Sequence, residues 1–86
     1  MKYIIFEQVN TGLKMPVIFP DHITHSSVII EGAQPVSAGF CQIEVKNIIG
    51  ILPQISESLN IGPHPGDREL LISLLRNEGM YAFIRF

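Results

Sequence analysis

The chain has 86 residues, a length that supports one domain spanning residues 1–86 with one core. Its net charge is −2, and the six basic residues are scattered from Lys2 to Arg85, so no basic stripe exists to neutralise a nucleic-acid backbone. No apolar run approaches the ~18 residues of a membrane span, no signal-peptide pattern is present, and the single Cys41 excludes an intramolecular disulfide framework. The expected location is the cytoplasm, with neither nucleic acid nor membrane as a partner. Charged residues make up only 16% of the chain, against a usual ~25%. A small domain buries only roughly 60–65% of its unfolded surface, so this few charges leave apolar surface uncovered. That deficit predicts a homo-oligomer or a protein partner.

In chain order, Lys2 to Val9 reads as a strand, and its centre Tyr3-Ile4-Ile5-Phe6 is apolar on both faces, as in an inner strand covered on each side. Asn10-Thr11-Gly12 is turn chemistry. Met15 to Phe19 forms a second strand, with Pro16 favouring an edge. After Pro20-Asp21, residues His22 to Ile30 read as a short helix stopped at Gly32, although the β-branched Val28, Ile29 and Ile30 fit a strand as well. Pro35 to Val45 reads as a strand in which Gly39 marks a bulge or a close backbone approach. Lys46-Asn47 turns the chain into Ile48 to Leu52, and a further short strand lies around Ile55 to Ile61.

The loop Gly62-Pro63-His64-Pro65-Gly66 opens a helix running to about Asn77, with Asp67 and Glu69 in its first turn and Gly79 as its stop. Leu70, Leu71, Leu74 and Leu75 form one apolar stripe, with Ile72 well off it on the expected wet side. Met80 to Phe86 is a closing strand. The predicted fold is α+β: a small antiparallel or mixed sheet of about five strands with one main C-terminal helix packed on one face.

Residues with chemistry are few. His22 and His25 stand i, i+3 beside Asp21, a two-nitrogen, one-oxygen corner that could begin a metal site, but the sequence names no further ligand beyond the soft candidates His64 and Cys41, and surface or backbone-bonded histidines are the simpler reading. His64 and Arg68 flank a helix start, where free N–H groups attract anions, yet Pro65 removes one donor and Asp67 and Glu69 already occupy the positive end. Cys41 within a strand reads as a small buried hydrophobe. No nucleophile elbow, phosphate loop or dinucleotide fingerprint is present, and neither catalytic residues, metal nor cofactor are assigned.

The stretches Pro16-Val17-Ile18-Phe19-Pro20-Asp21, His25-Ser26-Ser27-Val28 and Pro35-Val36-Ser37-Ala38-Gly39-Phe40 resemble part of a family of small uncharacterised bacteriophage and prophage proteins. The resemblance implies an accessory protein of a phage or mobile element that binds a host protein or small molecule. The expectation is therefore a homo-oligomeric binding module for a partner or a small polar or anionic ligand, with His22, His25, Ser26, Ser27, His64 and Arg68 as candidate ligand-binding residues. Two other readings stand beside it: a small His- or metal-dependent hydrolase, and a structural component of a virion assembly.

Overall fold

The computed structural model describes residues 1–43 and 49–76. Their elements are β1 (Lys2–Gln8), β2 (Lys14–Phe19), a single 3-10 turn (His25–Ser27), β3 (Ala33–Ile43), β4 (Ile49–Ile51) and α1 (Asp67–Arg76). The four strands form one antiparallel sheet in the order β2-β1-β3-β4. The α+β class and the C-terminal helix are thus as expected. Four of the expected strands are in the sheet, and the fifth, Met80 to Phe86, lies outside the described residues, as does the turn at Lys46-Asn47. The expected strand around Ile55 to Ile61 reduces to one bridge between Ser56 and Ile61, with Asn60 at positive φ in the loop between them.

The doubly apolar centre of β1 is explained by its place between β2 and β3. Tyr3, Ile4, Ile5 and Phe6 are all buried, and alternate residues serve opposite faces of the sheet. On one face, Tyr3, Ile5, Ile18 and Cys41 pack with Leu71 of α1. On the other, Ile4, Phe6, Val17, Phe19 and Ala38 pack with Val28 and the flanking Ile23, Ile30, Leu59 and Ile61. The helix therefore covers one face, and the irregular segments after β2 and β4 cover the other.

Local chemistry accounts for the register. Gly12 in the β1–β2 loop has φ +72°, and Gln8 N–H donates to Leu13 C=O at 2.9 Å to close the hairpin. Pro16 lies opposite Ile5 on β2, an edge strand among the described residues, where a missing N–H breaks no ladder bond. The β1–β3 register shifts between Ile5 and Phe6, which face Ser37 and Pro35, so Val36 is the extra residue of a bulge. Gly39 is a close approach and not that bulge: a Cβ there would meet Tyr3 Cε1 and Oη and Pro63 Cγ, each at 3.3 Å.

Two expectations need correction. The segment from His22 to Ile30 is helical only over His25–Ser27, because Thr24 and the β-branched Val28 on either side are extended. Ile72 is not on a wet face; it is half-buried against the helix-side cluster together with Leu70, Leu74 and Leu75, while Leu71 alone of the stripe is fully buried. Ile72 consequently gives no support to self-association.

Candidate ligand-binding cleft

The sheet separates the expected site residues into two groups. His64 and Arg68 belong to the helix side, where the organising residue is Asp67, the first residue of α1 and only 3% exposed. Its Oδ1 accepts from Ser37 Oγ at 2.8 Å, and its Oδ2 accepts from Tyr3 Oη at 2.8 Å and from His64 N–H at 2.9 Å. The carboxylate thus ties the helix start to β1 and β3 and satisfies a loop donor at the same time. Burial first, and then the bond to Asp67, push the Tyr3 phenol far above its usual range, so Tyr3 remains a donor in this network. Asp67 and Glu69 in the first turn of α1 set negative charge at the positive end of the helix from within the chain. The His64 and Arg68 side chains lie exposed around this node.

His22, His25, Ser26 and Ser27 belong to the opposite side, following β2. His22, Ser26 and Ser27 are exposed, whereas His25 is 3% exposed. The His25 ring is held edge-on between Phe19 and Phe40, with centroids 5.4 and 5.3 Å away, and its Nε2 donates to the Gly39 C=O at 2.8 Å. Burial lowers its pKa below the usual histidine value, the Gly39 bond opposes that shift, and the Lys2 ammonium reinforces it. His25 is therefore a neutral, fixed part of the wall. Asp21 is turned elsewhere, with Oδ1 3.0 Å from the Met1 α-amino group. Among the described residues, no group of three or more His, Cys, Asp and Glu side chains could hold a metal ion. Cys41, buried on the helix side, has its thiol pushed up to about 11 by burial, which keeps it in the unreactive thiol form.

Beside His25 a cleft of about 550 Å³ opens at the end of the sheet where β1 begins and β3 runs out. Its floor is His25 and Phe40, and Lys2 stands at one wall. Thr24 and the loop residues Gln54, Ile55, Glu57 and Ser58 form the rest. The volume lies within the roughly 300–1,000 Å³ range of small-molecule sites. Lys2 Nζ is positioned by donating to the Ile23 C=O at 2.9 Å and lies 5.9 Å from the centre of the Phe40 ring. The Ser26 N–H donates to Ser58 Oγ at 3.2 Å, joining the 3-10 turn to the loop that holds Ser58. That loop is braced in turn by the bridge from Ser56 to Ile61 and by the Ala38 N–H donating to the Gly62 C=O.

Of the candidate binding residues His22, His25, Ser26, Ser27, His64 and Arg68, only His25 lines this cleft; Thr24 of the same segment lines it too, and the Ser26 N–H bonds to the lining residue Ser58. Lys2, Phe40 and the residues of the 54–58 loop carried no sequence signal, because they come from three distant segments that only the sheet brings together. Comparison with protein-family models, curated proteins and solved structures finds no match. No helix among the described residues is long and apolar enough to cross a membrane.

Proposed function

We propose that the protein is a binding module that takes a small polar ligand in the cleft beside His25. The observation that carries this reading is the combination of a cleft of about 550 Å³ with a rigid floor: a buried, neutral histidine locked between two phenylalanine rings and hydrogen-bonded to β3. Rigid elements below and a mixed polar and apolar rim above are what a preformed small-molecule site needs. The part-chain resemblance to phage and prophage proteins agrees with an accessory role of this kind. Self-association with a second copy belongs to the same reading. Its support is the charge deficit together with exposed Val9 and Leu13 (66% and 59%) at the β1–β2 hairpin end of the sheet and exposed Ile29 (82%) between the 3-10 turn and β3.

The test is a thermal-shift screen of polar metabolite-sized compounds on the wild-type protein and on Ile55→Arg. Ile55 is 52% exposed at the cleft, so an arginine there obstructs the cleft and leaves the core untouched. Hits that raise the wild-type midpoint and lose their effect in the variant support the reading. Hits that act equally on both proteins overturn it.

A further inference from the structure

The cleft holds two opposite charges that do not neutralise each other. Lys2 and Glu57 both line it, yet the ion pairs among the described residues join other groups, Met1 to Asp21 and Lys14 to Glu7. The reason on the lysine side is structural: its ammonium is tethered to the Ile23 C=O and held over the Phe40 ring, which keeps it on its own wall. One N–H of the ammonium is engaged by that carbonyl, and a lysine carries three donors. Glu57 lies on the exposed rim of the loop. The same lining includes the apolar Phe40 ring and Ile55, and His25 among them is neutral and adds no competing charge.

We infer, building on the reading of this cleft as a ligand site, that its ligand is a zwitterion with an apolar body, the chemistry of a free apolar amino acid. The carboxylate meets the Lys2 ammonium, the ammonium meets Glu57, and the apolar side chain lies on Phe40 and Ile55. A simple anion is disfavoured by Glu57 and a simple cation by Lys2, since a like charge on the same cleft repels. Each charge contact is weak by itself because the cleft is open to water. Discrimination therefore depends on satisfying both charges on one small molecule. The hydroxyls of Thr24 and Ser58 add neutral acceptors and donors that suit either end of such a ligand.

The experiment is calorimetric titration of the intact protein with L-phenylalanine, N-acetyl-L-phenylalanine and L-phenylalaninamide, repeated on Lys2→Met and Glu57→Gln. The expected result is that phenylalanine binds the wild type about tenfold more tightly than either capped analogue. In Glu57→Gln the preference over the N-acetyl compound should disappear, and in Lys2→Met the preference over the amide should disappear. Glu57 is exposed, so its variant remains informative even where loss of the Lys2 tether disturbs β1. A capped analogue binding the wild type as tightly as phenylalanine, or tighter, overturns the zwitterion assignment while leaving the cleft a ligand site. Silence of all three compounds, alongside screening hits that Ile55→Arg abolishes, has the same meaning. Silence of all three with no such hits overturns both readings.

Discussion

Replacing Asp67 with alanine tests the central claim about how the helix is attached to the sheet. In the native protein the carboxylate accepts three hydrogen bonds, two of them from donors that are almost fully buried, Tyr3 Oη and Ser37 Oγ. Alanine leaves both hydroxyls without an acceptor, at about 1–3 kcal/mol each, and the His64 N–H on the loop regains water. The sum, about 2–6 kcal/mol, rivals the whole stability of a domain near the low end of the usual ~5–15 kcal/mol. Tyr3→Phe removes one donor and leaves the carboxylate two partners, so it should cost less, about 1.5–3 kcal/mol. Glu69→Ala is the control, because Glu69 stands exposed in the same first turn and contributes only its interaction with the helix dipole, about 0.3–1 kcal/mol. Urea unfolding followed by circular dichroism would give all three values, and the Tyr3→Phe, Asp67→Ala double variant closes a cycle with an expected coupling of about 0.5–3 kcal/mol. Equal losses for Asp67→Ala and Glu69→Ala, or strictly additive losses in the cycle, would refute the buried anchor and reduce Asp67 to an ordinary helix-start acid.

Further outcomes follow from the same structure. Leu71→Ala should cost about 2–5 kcal/mol, and Leu74→Ala less, because only Leu71 is fully buried in the stripe; equal thermal midpoints for the two variants would contradict that packing. His25 has a folded pKa below its ordinary value near 6.5, so the unfolded chain binds the proton more readily. Stability is then full above about pH 6.5 and falls as pH drops towards the folded pKa, by at most about 1.4 kcal/mol per pH unit. Urea titrations between pH 7.5 and 5 should show the decline shrink in His25→Gln, and an undiminished decline in that variant would assign it to other groups. Light scattering at micromolar concentration should give a mass above 9.6 kDa, and a clean monomer would remove the self-association part of the proposal.

Several features were legible in the residues because their causes are local. Four consecutive apolar residues, Tyr3 to Phe6, demand cover on both faces of a strand, and the sheet order β2-β1-β3-β4 supplies it. Gly12 in the hairpin loop, Pro16 on β2 and the stiff Pro65-Gly66 entry to α1 follow from φ restrictions that act within one or two residues. The segment His22 to Ile30 was less legible, since helix-compatible spacing and β-branched side chains competed, and tertiary cover by Val28 against Phe19 and Ala38 settled it as a single 3-10 turn ended by an extended Val28.

The amino-acid sequence by itself determined that this is an α+β domain with β1 in the interior of its sheet, because hydrophobic period and turn chemistry are short-range properties written residue by residue. Only the tertiary structure decided what Asp67, His25 and Lys2 do. Asp67 finds Tyr3 64 positions away, and His25 finds Gly39 14 positions away, across strands whose register is set by the β3 bulge and the hairpin. A shift of that register by one residue would turn every side chain to the other face, removing Ser37 and Tyr3 from Asp67 and Phe40 from the cleft. Such contacts depend on where distant segments end up side by side, and no local pattern around any one of these residues carries that information.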